Sequence, residues 1–161
     1  MRFRNRDLQA PQSKENSMSE KFKPIADNFY AAPQVTAADI SDAKAQGITL
    51  IINNRPDGEA PGQPSGAEIE KAAMNAGVDY LSLPVGAAGI SHEMLDQFMA
   101  AIDATDGAAL AFCMTGTRST ILRAFALARA GHDIDELINE ASASGFNIAG
   151  QRSVMEALAA G

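Results

Sequence analysis

From Phe22 onward the chain alternates between short, nearly continuous apolar runs and stretches whose apolar residues recur every three or four positions. Ile48-Thr-Leu-Ile-Ile52 and the five residues Ala108 to Phe112 are continuous runs, the pattern of strands buried on both faces. Val78 to Leu83 predicts a third strand, and Phe22 to Ile25 with Asn28 to Ala31 predicts an opening hairpin. Helical periods lie between them. Thr36 with Asp39 and Ser65 with Glu68 carry capping-box spacing, and Gly47 and Gly77 follow as stops. Ser91 opens a helix with Met94, Leu95, Phe98, Met99 and Ile102 on one face. Further helices are predicted from Ser119 to Ala130, from Asp133 to Gly145, and from Gln151 to Ala159. Strands alternating with helices predict an α/β fold, a parallel sheet covered on both faces. With no repeat and no linker, residues 18–161 form one expected domain. Residues 1–17 are polar and lack the apolar middle of a secretory signal, so a disordered leader is expected there.

In such sheets ligands bind beyond the carboxyl ends of the strands. Three loops then share one mouth: Asn53 to Gln63, Pro84 to Ile90, and Cys113 to Arg118. The last reads Cys113-Met114-Thr115-Gly116-Thr117-Arg118, with Ser119 next. A buried structural cysteine would account for Cys113 alone, but not for Gly116 and Arg118 beside it. A thiol at a strand exit, facing loop amides, a helix amino end and a guanidinium, loses its proton readily and becomes a nucleophile. Arg118 either adds positive potential or bonds a loop carbonyl or carboxylate. Ser119 either donates to the sulfur or caps the helix. Arg55, Asp57 and Glu59 are candidates for the site wall. Asp57 and Glu59 could also supply an acid, although Pro-Asp-Gly is a turn sequence in its own right. His92 reads as a first-turn helix residue and His132 as a loop residue.

Composition narrows the partners. Hydrophobic residues make up 46% and aromatics 6%, so the core is aliphatic. A net charge of −7 without a basic block argues against nucleic acid or an anionic membrane as partner. The single cysteine forbids an internal disulfide and fits a reducing, cytoplasmic setting. No apolar run approaches the ~20 residues of a membrane span.

The segments IINNRPDGE (51–59), Gln63-Pro64, YLSLPV (80–85) and FCMTGTRS (112–119) resemble the phosphatase-like domain of the beta-lactamase-hydrolase-like proteins, a bacterial family. The resemblance runs from about Lys23 to about Asn147. It implies a protein-tyrosine-phosphatase-like fold, mostly parallel, with a cysteine-centred loop. Some relatives fuse a similar domain to a metallo-β-lactamase-type persulfide dioxygenase. This chain has two histidines, His92 and His132, and no HxHxDH pattern, so no metal site and no cofactor are expected. Tyrosine phosphatases carry Cys-x5-Arg, whereas Cys113 to Arg118 is Cys-x4-Arg, the length found in rhodanese-type sulfurtransferases. Met114 stands where many relatives have arginine. The loop from Leu83 to Ser91 holds no carboxylate at the place where tyrosine phosphatases carry their acid.

The first functional expectation is therefore a sulfurtransferase. Cys113 would take sulfur from a small sulfur-containing anion or persulfide donor and pass it to an external thiol or cyanide. The alternatives are a phosphatase with a phosphocysteine intermediate and a non-enzymatic anion-binding or thiol redox-sensing module.

Overall fold

The computed structural model describes residues 20–161. The expected leader, residues 1–17, lies outside them. Five strands form one sheet: β1 (Lys23–Ala26), β2 (Phe29–Ala32), β3 (Ile48–Asn53), β4 (Asp79–Ser82) and β5 (Ala108–Phe112). Their spatial order is β1-β2-β5-β3-β4. The opening hairpin pairs antiparallel, and the β2–β5, β5–β3 and β3–β4 contacts are all parallel. The sheet is thus mostly parallel, with one antiparallel edge strand.

The helices are α1 (Ala37–Ala45), α2 (Gly66–Ala76), α3 (His92–Ala104), α4 (Thr117–Arg129), α5 (Ile134–Ala143) and α6 (Arg152–Ala160). Both expected capping boxes form, Thr36 with Asp39 on α1 and Ser65 with Glu68 on α2. Each satisfies two amides that a helix start leaves unpaired. Ser91 and Asp133 cap α3 and α5. The one misplaced start is α4. It begins at Thr117, two residues before the expected Ser119, with Gly116 as its cap at φ 99°. Glycine reaches that backbone conformation without a Cβ penalty, so the loop closes one short turn after Cys113.

Alternation along the buried strands builds two cores. Leu50, Ile52, Ala109 and Ala111 face α3, α4, α5 and α6 through Leu95, Phe98, Leu122, Leu137 and Met155. Ile48, Ile51, Leu110 and Phe112 face α1 and α2 through Ile40, Ala43, Ile69 and Ala73. This explains why the strand sequences are apolar at nearly every position. It also sets the site. The connection after β3 leads to α2 on one face, and the connection after β5 leads to α4 on the other. The carboxyl ends of β3 and β5 therefore flank a crevice at a topological switch point. Among the described residues no helix is long and apolar enough to cross a membrane.

Candidate active site

Cys113 follows the last residue of β5, and its amide donates to the Ala32 carbonyl at 3.2 Å, which ties the nucleophile's backbone to β2. Its sulfur lies on the floor of the crevice with 1% of the residue exposed. The Gly116 amide donates to Sγ at 3.0 Å. Burial is the largest influence on this thiol and pushes its pKa up. Hydrogen bonds from the amides of Ser119, Thr115, Gly116 and Arg118 together outweigh it, and the thiol ends below its ordinary value. Aligned N–H groups at a helix start stabilise the thiolate, as they would any anion. Thr115 and Thr117 stiffen the rim by bonding each other's hydroxyls at 3.0 Å, and Thr120 ties α4 back to the Gly116 carbonyl at 2.9 Å. Met114 stands at the rim and is 46% exposed.

Arg118 bonds a loop carboxylate and a loop carbonyl, and its charge also bears on Cys113. Its Nη1 donates to Glu59 Oε2 at 2.8 Å and to the Val85 carbonyl at 2.9 Å, and its Nη2 donates to Glu59 Oε1 at 2.9 Å. One Nη2 hydrogen and the Nε hydrogen remain, since a guanidinium has five N–H donors. Glu59 is shared with a second arginine. Arg55, only 7% exposed, donates from Nε to Glu59 Oε1 at 3.0 Å and from Nη1 to Gln34 Oε1 at 3.0 Å. The bonds from Arg118 act most strongly on Glu59. With those from Arg55, and against partial burial, they bring its pKa down to about 2. The three loops expected to share a mouth do meet here, joined by this Arg55–Glu59–Arg118–Val85 chain.

At three positions the contacts favour one of the roles left open. Glu59 is no general acid, because two guanidinium groups hold it ionised. Asp57 is turned away: its Oδ1 accepts the Gly66 amide at 2.8 Å, at the amino end of α2. The Pro56-Asp57-Gly58 turn, with Gly58 at φ 76°, carries the carboxylate to that helix and not to Cys113. Ser119 is not the cap of α4. Its side chain is fully buried and its hydroxyl donates to Asn54 Oδ1 at 2.7 Å, while its amide serves the sulfur.

The partner of Ser119 had no place in the sequence reading. Asn54 is fully buried, and its Nδ2 donates to the Leu83 carbonyl at 2.8 Å. Its backbone amide donates to the Phe112 carbonyl, and its carbonyl accepts from Val85. One residue, through its side chain and its backbone, thereby ties the exits of β3, β4 and β5 to α4. The signal was two adjacent asparagines, Asn53 and Asn54, directly after a β-branched run. Gln34 and Phe146 were likewise unmarked. Hollows of about 400 Å³ between α1 and α2 and about 420 Å³ beside α6 lie away from Cys113. Among the described residues no group of three or more His, Cys, Asp or Glu is placed to hold a metal ion.

The Glu59 pairing predicts a pH signature. Its folded pKa lies below the unfolded value, so its contribution to stability is fully present above about pH 4.5 and is lost as pH falls towards 2. Glu59→Gln should flatten the acid limb of a denaturation-against-pH curve in that window. Parallel curves for the two proteins would mean that the arginines do not hold Glu59 in solution.

The phosphatase-like domain of the beta-lactamase hydrolase-like proteins matches residues 21–131 of this chain. A beta-lactamase hydrolase-like protein of Agrobacterium fabrum is 38% identical over 98 residues, which cover 61% of this chain and 23% of that protein. The matched segments span about a fifth to a quarter of the curated relatives. A Neisseria meningitidis protein described as a candidate phosphatase superposes with a TM-score of 0.75 at 34% identity, covering 86% of this chain and 98% of that one. The active form of Tk-PTP superposes at a TM-score of 0.68 and 21% identity, over 87% of this chain and 97% of that one, a likeness of fold. The expected phosphatase-like sheet, the cysteine loop at its switch point and the match along most of the folded chain agree: the protein belongs to the family of phosphatase-like domains of beta-lactamase hydrolase-like proteins.

Proposed function

We propose that this chain is a cysteine-dependent phosphatase working through a phosphocysteine intermediate. The observation that carries this reading is the Cys113 sulfur, which accepts from the Gly116 amide at 3.0 Å and whose pKa the loop amides lower, with the Arg118 guanidinium beside it. In the first step Sγ attacks phosphorus. The S–P bond forms while the bond to the leaving oxygen breaks, and the electron pair departs with that oxygen. The loop amides and the two Arg118 hydrogens meet the phosphoryl oxygens, where negative charge is spread in the transition state. In the second step water attacks phosphorus, the S–P bond breaks, and the water's protons leave on inorganic phosphate as the thiolate returns. Asn54 and Ser119 position α4, and Glu59 with Arg55 holds Arg118 in place.

The family's phosphatase-like description and the Neisseria meningitidis protein described as a candidate phosphatase support this alternative further than sulfur transfer. Sulfur transfer stays as a second reading on one observation. Four residues separate Cys113 from Arg118, the loop length of rhodanese-type sulfurtransferases, and the Gly116 amide sits 3.0 Å from the sulfur. Acetyl phosphate and 4-nitrophenyl phosphate distinguish the two. Expected are turnover that vanishes on prior alkylation of Cys113, inhibition by vanadate, and a phosphorylated Cys113 peptide after rapid quench. The alkylation midpoint should lie below the ~8.5 of a free thiol. A protein that turns over neither compound but gains one sulfur from thiosulfate would be a sulfurtransferase.

A further inference from the structure

Cleavage of a phosphate ester leaves charge on the departing oxygen, and a positioned acid usually protonates it, a contribution of ~10²–10⁴-fold. The surroundings of Cys113 show how each acidic side chain near the mouth is engaged. Glu59 accepts three hydrogen bonds from Arg118 and Arg55 and offers no proton. Asp57 is bound to the Gly66 amide at the start of α2. Tyr80 accepts from Asn53 Nδ2 at 3.0 Å and donates its own proton to the Gly66 carbonyl at 3.3 Å.

The loop that covers the mouth is Leu83-Pro-Val-Gly-Ala-Ala-Gly-Ile-Ser91, without a carboxyl, imidazole or phenol. Its beginning is pinned over the site by the bond from Arg118 to the Val85 carbonyl. Its end is not at the site. His92 and Asp96 of α3 lie on Arg129, with His92 Nδ1 3.1 Å from the Arg129 Nη1. Arg129 is the last residue of α4, and Arg118 sits in its first turn. At 1.5 Å per residue, the Arg129 backbone stands roughly 16 Å along α4 from that of Arg118, and the first turn of α3 is bonded to that far residue. His92 and its neighbour Glu93 go with it.

Among the described residues, then, the loop over the mouth offers no carboxyl, imidazole or phenol, and the carboxylates and phenol beside it are already engaged. Building on the phosphatase reading above, we infer that the leaving oxygen departs as an anion without a proton from the protein. The substrates are accordingly activated phosphates, whose leaving group is stable as an anion: acyl phosphates, phosphoanhydrides or phosphates of electron-poor phenols. In the first step the thiolate's electron pair forms the S–P bond, and the pair of the broken P–O bond leaves as carboxylate, phosphate or phenolate. No proton moves, and water restores the enzyme as before. Ordinary alkyl esters such as phosphoserine are poor substrates of such a site, because an alkoxide leaves slowly without protonation.

The test is kcat/KM, which reads the first step and not the common hydrolysis of phosphocysteine. Acetyl phosphate, pyrophosphate, 4-nitrophenyl phosphate, phenyl phosphate and phosphoserine are compared at one pH, with alkylated protein as blank. The activated compounds should lead phenyl phosphate by about 10²-fold or more, and phosphoserine should be slower again. Acetyl phosphate against pyrophosphate against 4-nitrophenyl phosphate then tells which activated source is preferred. For 4-nitrophenyl phosphate, the profile from pH 6 to 9 should lack the alkaline fall that a general acid produces. Rates that differ little across the series, or a clear alkaline fall, would overturn the inference and leave the phosphatase standing. An absence of Cys113-dependent turnover of all five would overturn both.

Discussion

Cys113→Ser should abolish turnover of every substrate, by on the order of 10⁴-fold or more, while the protein stays folded. The thiolate is the only nucleophile toward which the loop amides are directed, and a serine hydroxyl at the same place keeps its proton. Nothing near it would take that proton: Glu59 is occupied by Arg55 and Arg118, and His92 lies with Arg129. Folding should survive because the hydroxyl is smaller than the thiol and can still accept from the Gly116 amide that now reaches Sγ. The measurements are kcat/KM for acetyl phosphate and a thermal melt on the same preparation. Retained turnover with an unchanged melt would remove Cys113 from the chemistry.

Gly116→Ala should cost about 2–4 kcal/mol and lower the melting temperature by roughly 6–12 °C. Two effects add. The backbone holds φ at 99°, which a Cβ opposes. That Cβ would also stand 2.9 Å from Phe146 Cζ and 3.1 Å from its Cε1, so the ring must shift. Activity should fall further than stability, because the Gly116 amide is the one at 3.0 Å from the sulfur. Phe146→Ala separates the causes. In that background the added methyl meets the Ala32 carbonyl carbon at 3.5 Å, an ordinary contact, and its cost should drop to the backbone component, a coupling that a double-mutant cycle measures. Equal losses in both backgrounds would mean that Phe146 does not press on the loop.

Much of this architecture is written locally. The capping boxes at Thr36 and Ser65 and the caps at Ser91 and Asp133 are contacts between residues three apart, so sequence spacing alone places them. The continuous runs at Ile48 and Ala108 announce strands covered on both faces for the same reason. Alternate side chains feed two separate cores, so no position along the run is left to water. The parallel α/β sheet and the place of Cys113 at a strand exit follow from these patterns together, and the resemblance of the quoted motifs adds the phosphatase-like fold.

What each polar side chain does beyond the strand exits depends on partners far away in the chain. Glu59 and Arg118 are 59 residues apart, and Ser119 lies 65 residues from Asn54. Sequence identifies Glu59 as a carboxylate near the mouth. Only the fold reveals that two arginines reach it and take away its use as an acid. The same limit hides Asn54, whose four bonds join segments that meet only when the sheet closes. Spacing determines periodic contacts because the chain itself sets those distances. The protonation state of Glu59 and the direction of Asp57 depend on which charges and amides packing brings within 3 Å, and that is decided by tertiary structure alone.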